Sequence, residues 1–434
     1  MGPDLTGVST WAARLARRTR ANASTMVVRA SMRLLARWLE LRSAVSTEPA
    51  QTPLPLAVRD ARAVLVVALA EAGDMVLLSV FLRELRRLAS SARVTIVCLP
   101  AVRGLLESSA DVDEVIAYDA ATHRLLRPLQ LPGRARAFVR RERLDRFDIV
   151  IVPRWDIDQH LAAAIAVFSR APRRVSHSEH ATERKATLNA GFDTLFTDVV
   201  RSSGVRHEVE RHVEMLRAMG ATAPSTRLRL ALSEGDRMRA AKELTVRGAR
   251  GPLIALGIGA AHPKRRWSIA RFAEVGRALQ RDHGAHIVIV GGSSDVEAQT
   301  ELLQHLEPAA TGLAGLLTLR ESAAVLEQCQ LFIGNDSAPM HLAAAVGVSC
   351  VEISCHPAGG DPLHNNAPER FGPWGVPSVI VRPDAAVPPC TSNCAAATPH
   401  CILAITPTMV LDAAGTLLRS AGTAGSHAPA GTPS

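Results

Sequence analysis

The chain has 434 residues, 47% of them hydrophobic and only 3% aromatic, and it carries a formal net charge of +9. This length suffices for two ordinary domains, each with its own core. The apolar runs are shorter than the roughly 18 residues that a membrane-spanning helix needs, and the first residues lack the apolar stretch of a secretory signal, so we expect neither. Seven cysteines, an odd number, favour a reducing compartment, and hence the cytoplasm, over a disulfide framework.

The positive charge is concentrated near the start of the chain. Residues 11–42 hold eight arginines and a single acid, and the remaining sequence is nearly balanced, so we predict no nucleic-acid partner. Arg29, Arg33 and Arg37 recur at helical spacing beside a tryptophan and several leucines, which is typical of an amphipathic helix on an anionic membrane surface. The alternatives are a helical extension that is solvated or packed on a partner, and an organelle transit peptide. This extension and its linker, residues 1–57, predict a peripheral location on the inner face of the cell membrane.

Apolar runs alternate with helical patterns after the linker. Buried strands are predicted at 61–70, 94–98 and 147–152, and the leucine spacing that follows the first strand predicts a helix over 75–88. Strands that alternate with helices form parallel sheets with right-handed crossovers. We therefore expect a first α/β domain over residues 58–222.

The alternation then stops and restarts. Residues 223–250 are charged, contain glycine and proline, and are interpreted as an inter-domain connection. A second α/β domain is predicted over 251–420, and the small and polar residues 421–434 are predicted to be disordered. The strands predicted in the second domain are 253–258, 286–290, 331–333 and 349–354, with a helix over 268–283 and a closing helix over 404–418.

The most informative stretch is LFIGNDSAPMHLAAAVG, residues 331–347. It predicts a buried strand that ends at Gly334, a polar turn with Asp336 and Ser337, and a helix that begins near Pro339. A helix that starts directly after a strand points free N–H groups and the positive end of its dipole at one place, which suits a phosphate. The alternative is that the two polar side chains only cap the helix.

Polar turns follow the other predicted strands of the second domain. Lys264–Arg266 comes after the first strand and Gly291–Asp295 after the second. Cations and a carboxylate at neighbouring strand ends favour a nucleotide-diphosphate site, although a basic turn can also be merely solvated. In the first domain, Asp74 holds the corresponding place, either as a helix cap or as a general base facing the cleft. The sequence contains neither GxGxxG nor GxxxxGK[ST].

Five segments in this order resemble glycosyltransferase family 9, the lipopolysaccharide heptosyltransferase family. The resemblance covers about residues 60–415. The segments are GDMVLLSVFLRELRR at 73–87, TDVVRSSGVRHEVERHVEMLRAMG at 197–220, GIGAAHPKRRWSIARFAEVGRAL at 257–279, GGSSD at 291–295 and GNDSAPMHLAAAVG at 334–347.

The resemblance implies an α/β fold of the GT-B type, with two Rossmann-like doubly wound domains facing a central cleft. It implies no metal, a nucleotide-sugar donor such as ADP-heptose in the second domain, and a membrane glycolipid or other glycan acceptor reached from the first. It also implies that the closing helix crosses back to the first domain. The residues that match the family pattern are Asp74 as the catalytic base, Arg265 or its neighbour Lys264 at the phosphate, Asp295 at the ribose, and Asp336, Ser337, Ala338 and His341 at the diphosphate and sugar.

The function expected from this resemblance is an inverting, metal-independent transfer of a heptose-like sugar. A nucleotide-sugar epimerase of the same fold and a non-catalytic nucleotide-binding scaffold at the membrane surface are the alternatives. Cys390, Cys394 and Cys401, with His400 beside them, are reminiscent of a metal site, but their spacing differs from that of CxxC zinc sites, so no metal is predicted.

Overall fold

The computed structural model describes residues 52–120, 131–202, 204–306 and 308–425. The basic segment 11–42 lies outside the described residues, as do most of its linker and residues 426–434. The predictions made for these segments therefore stay predictions. No helix in the described part of the chain combines the length and the apolar character that crossing a membrane requires.

Two six-stranded sheets, one in each half of the chain, form the framework, and all their strand pairs are parallel. The first has the order β3-β2-β1-β4-β5-β6, and the second has the equivalent order β9-β8-β7-β10-β11-β12. This is the Rossmann order, so the predicted doubly wound architecture is confirmed. The strands are β1 Ala63–Ala68, β2 Arg93–Cys98, β3 Glu114–Ala117, β4 Ile149–Val152, β5 Arg173–His177, β6 Asp198–Val200, β7 Leu253–Gly257, β8 His286–Val290, β9 Ala310–Gly312, β10 Leu331–Asn335, β11 Ser349–Ile353 and β12 Ser378–Val381.

Helices connect the strands and cover both faces of each sheet. The α-helices of the described residues are α1 Leu54–Asp60, α2 Ala72–Leu88, α3 Arg103–Leu106, α4 Leu131–Arg141, α5 Ala162–Phe168, α6 Glu183–Leu188, α7 Glu208–Ala218, α8 Glu234–Val246, α9 Ile269–His283, α10 Val296–Leu306, α11 Leu319–Leu326, α12 Ala338–Ala345, α13 Pro368–Phe371 and α14 Pro407–Gly425.

Several element boundaries differ from the sequence predictions. Strand β10 continues through Gly334 and Asn335, because it pairs with β11 along its whole length. Helix α2 begins at Ala72, with Glu71 at the N-cap, so Asp74 lies inside the first turn and is not the cap. The prediction that Gly334 ends the strand and the alternative that Asp74 caps the helix are both wrong.

Two segments interpreted as connections contain helices. Helix α1 lies partly within the predicted linker and packs Val58 into the core of the first half. Helix α8 occupies much of the predicted inter-domain connection and packs on α11. Its Arg237 forms two hydrogen bonds with Glu327 beyond α11, at 2.8 and 3.0 Å, so α8 is fastened to the second half.

The closing helix α14 is longer than predicted and packs on its own half. It reaches Gly425, so the first five residues of the predicted disordered tail are helical. Its buried Val410, Ala414 and Leu417 join the core on one face of the second sheet, and it contacts α9 and β10–β12. The expected return of the chain to the first domain stays a prediction, because residues 426–434 lie outside the described part.

Candidate active site

The candidate site lies where the order of the second sheet reverses, at the carboxyl ends of β7 and β10. Loops at such a switch point diverge and leave a crevice for a ligand. Asn335, the last residue of β10, fixes the loop after β7. Its side-chain oxygen accepts a hydrogen bond from the Trp267 N–H at 3.1 Å, and its side-chain nitrogen donates to the Ile258 oxygen at 2.7 Å. This buried amide holds the basic turn beside the polar turn of residues 336–337.

Arg265 is the basic residue that reaches the polar turn. It lies in a short 3₁₀ helix, Pro263–Arg265, and its Nη1 donates to Oδ2 of Asp336 at 3.0 Å. Both side chains are mostly buried, and Nε of Arg265 has no hydrogen-bond partner among the described residues. Lys264 points elsewhere, because its Nζ donates to the backbone oxygen of Cys394 at 2.8 Å. Arg265, and not Lys264, therefore contacts the polar turn.

Helix α12 starts at the polar turn with an uncapped first turn. Ser337 is the N-cap residue, but its side chain makes no capping hydrogen bond and donates to the Asn335 oxygen at 3.1 Å instead. Asp336 lies before the cap and pairs with Arg265. The alternative that these two side chains only cap the helix is therefore wrong. The N–H groups of Ser337 and Ala338 are available to an anion, because Pro339 has no N–H and the Met340 N–H donates to the Ser337 oxygen.

Asp295 is placed at the end of β8 by its own turn. Its Oδ2 accepts a hydrogen bond from the Gly292 N–H at 3.0 Å, and its Oδ1 lies 3.6 Å from Nη2 of Arg266. Gly259, at the end of β7, packs so closely on this carboxylate that any Cβ there would overlap it. Asp295 is therefore a buried carboxylate held by these contacts, and lone pairs of its oxygens remain for a sugar hydroxyl.

His341 connects the second half to the first. Its ring lies against Gly73 in the first turn of α2, and a Cβ at Gly73 would come within 2.6 Å of Cδ2 of the ring. Burial lowers the pKa of His341, while the carboxylates of Asp336 and Asp74 oppose that shift. Its Nδ1 is buried without a hydrogen-bond partner among the described residues. The imidazole is therefore neutral at pH 7 and lies between the two candidate acidic residues.

Asp74 faces the crevice from the first half. Its side chain is 33% exposed, and its Oδ2 lies 3.4 Å from Nη1 of Arg154, which follows strand β4. Arg154 is itself fixed by a 2.7 Å hydrogen bond from Nε to the Ile157 oxygen. A partly exposed carboxylate with one long contact to a fixed guanidinium is oriented, yet free to accept a proton.

A pocket beside Asp74 contains residues that the sequence analysis did not single out. Arg370, from α13 of the second half, enters it and donates to Oε1 of Glu208 at 2.7 and 2.9 Å and to Oδ2 of Asp156 at 3.1 Å. Its guanidinium lies 4.8 Å from the ring centre of Trp155. These residues are far apart in sequence, and a lone Arg or Glu at each position carries no recognisable pattern, so only the fold brings them together.

Glu352 of β11 is a further buried carboxyl group that the sequence analysis missed. Burial, and next the negative charge of Asp336, raise the pKa of Glu352 well above its usual range. Its Oε2 has no hydrogen-bond partner among the described residues. Burial thus favours the neutral form of this carboxyl group beside Asp336.

The family comparison decides where this chain belongs. The sequence pattern of glycosyltransferase family 9 (heptosyltransferase) matches residues 136–393, more than half of the chain. The chain belongs to glycosyltransferase family 9. The family resemblance predicted from the five sequence segments is thereby confirmed.

Curated relatives of this family 9 chain are similar over part of their length. Lipopolysaccharide heptosyltransferase 3 of Escherichia coli is 26% identical over 214 residues, which cover 49% of this chain and 60% of the relative. Lipopolysaccharide heptosyltransferase 2 of Escherichia coli strain K12 is 30% identical over 129 residues, covering 29% and 36%. The chain thus matches about three-fifths or less of the length of these relatives.

Solved structures share the fold over nearly their whole length. A family 9 glycosyltransferase from Veillonella parvula has a TM-score of 0.66 and 23% identity, covering 83% of this chain and 98% of its own. The ADP-heptose lipopolysaccharide heptosyltransferase II of Escherichia coli has a TM-score of 0.61 and 22% identity, covering 83% and 99%. The predicted GT-B architecture, two Rossmann-like domains, is confirmed by these two likenesses.

Proposed function

We propose that this chain is a glycosyltransferase that moves a heptose-like sugar from ADP-heptose, or a related nucleotide sugar, to a lipopolysaccharide-type or other cell-surface glycan acceptor. One observation carries the proposal. Asp74 of the first half and the Arg265–Asp336 pair of the second half lie on either side of His341, whose ring packs against Gly73. Family membership and the relatives named above support the choice of a heptose donor.

The donor diphosphate would bind at the start of helix α12. The free N–H groups there and the guanidinium of Arg265 offer positive charge and hydrogen-bond donors at one place. The carboxylate of Asp295, beside the turn after β8, would accept hydrogen bonds from the ribose hydroxyls.

The transfer would be a single displacement with inversion at the anomeric carbon. Asp74 takes the proton of an acceptor hydroxyl while that oxygen forms a bond to the anomeric carbon. The bond from that carbon to the diphosphate oxygen breaks, and the nucleoside diphosphate leaves with the electron pair. Arg265 and the N-terminus of α12 stabilise the charge that develops on the leaving group, so the proposed step requires no metal.

The acceptor would enter through the pocket beside Asp74. Arg154 and Asp156 line it with charged groups that can bond to sugar hydroxyls. Trp155 is buried beneath Arg211 and Arg370 and supports this wall of the pocket. The acceptor's membrane anchorage would agree with the predicted binding of residues 11–42 to an anionic membrane surface, at the inner face of the cell membrane. We propose this peripheral location together with the activity.

Asp74→Asn tests the assignment of the base. The substitution keeps the shape of the side chain but removes the proton acceptor, so turnover with ADP-heptose and a heptose-deficient lipopolysaccharide core should fall about 10²- to 10⁴-fold. ADP binding, measured by calorimetric titration, should stay close to that of the wild type. Asp282→Asn is the matched control, because Asp282 is an exposed carboxylate paired with its neighbour Arg281 on α9.

Other results would favour the epimerase or the membrane-surface scaffold over the transferase. Turnover of Asp74→Asn near the wild-type level would reject Asp74 as the base. Release of a free or altered nucleotide sugar without an acceptor would favour the epimerase. Tight binding to anionic vesicles without any affinity for ADP, UDP or GDP would favour the membrane-surface scaffold and reject the transferase.

A further inference from the structure

Four side chains that are potential metal ligands converge in the loop between β12 and the closing helix. The sulfur atoms of Cys390, Cys394 and Cys401 and a ring nitrogen of His400 all lie within 4.8 Å of one another. Nδ1 of His400 is 3.7 Å from Sγ of Cys390 and 3.4 Å from Sγ of Cys401. All of these cysteines are free thiols. The spacing of these residues differs from that of CxxC sites, yet the fold brings their ligand atoms together. Spacing alone is therefore not a reason to exclude a metal here.

The distances agree with a tetrahedral metal site. Zinc–sulfur bonds of about 2.3 Å and zinc–nitrogen bonds of about 2.0–2.1 Å place the ligand atoms of such a site about 3.5–3.8 Å apart. The two distances from Nδ1 of His400 to the sulfurs, 3.7 and 3.4 Å, lie within about 0.1 Å of this range. Three thiolates and one imidazole are a ligand set of structural zinc sites.

We propose that Cys390, Cys394, His400 and Cys401 bind one zinc(II) ion in a closed tetrahedral site. Four protein ligands complete the shell, so the ion has a structural role and no open position for a substrate. The inference goes beyond the proposed function, because it holds whether or not the chain transfers a sugar.

A bound ion would stabilise the loop that carries its ligands. Residues 382–400 form neither helix nor strand, so few backbone hydrogen bonds hold them together. The Ala395 N–H points at Sγ of Cys390 at 3.4 Å, which favours the thiolate that a metal requires. Cys394 and Cys401 are buried in the core of the second half, while Cys390 and His400 are half-buried. The site is thus anchored in the core and open to an entering ion.

The ion would also fix the basic turn of the candidate active site. The backbone oxygen of Cys394 accepts the hydrogen bond from Nζ of Lys264 at 2.8 Å. Just beyond the site, the Ile405 oxygen accepts a hydrogen bond from Nε1 of Trp267 at 3.1 Å. The loop that carries the ligands therefore holds both ends of the segment that contains Arg265.

Metal analysis of the full chain tests the proposal. Protein purified in the presence of a reducing agent and supplied with zinc should hold about one zinc per chain after dialysis, measured by plasma mass spectrometry. Cys394→Ser and His400→Ala should each lose most of it. Cys329→Ser is the matched control, because Cys329 is a buried thiol at the end of α11, outside the cluster, and should keep the ion.

A second measurement covers the case in which a cysteine variant fails to fold. A strong zinc chelator should lower the melting temperature of the wild type and of Cys329→Ser, and leave that of His400→Ala unchanged. Wild-type protein that holds no zinc, a disulfide among the three cysteines, or iron bound in place of zinc would each overturn the proposal.

Discussion

Gly73 lets a helix of one half touch a histidine of the other. Every residue except glycine carries a Cβ, and here that atom would lie 2.6 Å from Cδ2 and 3.1 Å from Nε2 of His341. Atoms in folded proteins do not approach so closely without movement of the side chain or the backbone. The position of Asp74, the next residue, is therefore coupled to the ring of His341.

Gly73→Ala should lower both stability and activity. The added methyl group forces the His341 ring or helix α2 to move, at a cost of about 1–3 kcal/mol in the free energy of unfolding. Denaturant unfolding and kcat/KM with ADP-heptose measure the two effects. Gly104→Ala is the control, because nothing lies within 4 Å of a Cβ at Gly104.

His341→Ala should relieve the clash in a double variant with Gly73→Ala. The two destabilisations should then sum to more than that of the double variant. If the two losses of unfolding free energy simply add in the double variant, the contact with His341 is not the reason that Gly73→Ala is destabilising.

Arg265 and Lys264 should differ in their effect on donor binding. Losing a charge-assisted hydrogen bond costs about 1.5–3 kcal/mol, so Arg265→Gln should weaken ADP binding roughly 10- to 150-fold. Lys264→Gln should weaken ADP binding less than Arg265→Gln does, because its Nζ is bound to the Cys394 oxygen and acts only by holding the turn that carries Arg265. Calorimetric titration measures both, and melting curves verify that the variants are folded. A larger loss for Lys264→Gln would assign the phosphate to the lysine.

At the residue scale, candidate site residues are predictable from the sequence, but the contacts between their side chains are not. Asp336 and Ser337 were predictable because helix-start chemistry is local. The choice between Lys264 and Arg265 was not, because the direction of each side chain depends on the 3₁₀ turn and on the distant Cys394 loop. A strand predicted to end at Gly334 leaves Asn335 outside it, whereas the pairing with β11 includes Asn335 and positions its side chain between the two loops.

At the element scale, the buried parallel strands were the most predictable parts of the chain. Strand β8 was predicted at its observed bounds, because a strand covered on both faces is a continuous apolar run. Helices α1 and α8 were missed, because each is charged or contains proline and owes its place to packing on a distant element. Local propensity does not report such tertiary stabilisation.

Helix α7 contributes two buried histidines that make stability depend on pH. At its N-cap, Nδ1 of His207 accepts the Val209 N–H at 3.2 Å, so Nε2 carries the proton and donates to the Gly372 oxygen at 3.0 Å. Burial lowers the pKa of His207 to about 3, against the effect of the Gly372 bond. Burial also lowers the pKa of His212 to about 4, against the charge of Asp74.

The free energy of unfolding should therefore fall as the pH drops below about 6.5. In that range the unfolded chain binds a proton at each histidine and the folded chain does not, so each contributes a loss of about 1.4 kcal/mol per pH unit. Urea unfolding between pH 7 and pH 5 measures the slope. It should be smaller in His207→Gln and unchanged in His305→Gln, whose ring is exposed on α10. Equal slopes in all three proteins would contradict the assignment.

At the scale of the whole molecule, the two halves share one continuous apolar core. A single cluster of buried residues runs from Val58 and Phe81 in the first half to Phe332 and Met340 in the second. Polar contacts also join the two halves. Arg370 of α13 is 1% exposed and bonds to Glu208 and Asp156 of the first half. This buried network helps to fix the position of the first half relative to the second.

Arg370→Met should weaken the association between the two halves of the molecule. Removing one partner of a buried ion pair leaves uncompensated charge and costs about 3–5 kcal/mol. Because the lost bonds join the halves, urea unfolding should separate into two transitions. The fluorescence of Trp155, which lies against Arg370, should change in the first.

Arg382→Met is the matched control for this effect. Arg382 pairs with Glu369 at 2.7 Å within the second half, and both side chains are partly exposed. Its loss should cost about 0–1 kcal/mol and preserve the unfolding profile of the wild type. If Arg370→Met instead unfolded in the same way as Arg382→Met, the apolar cluster alone would hold the halves together, and the Arg370 network would serve the acceptor pocket only.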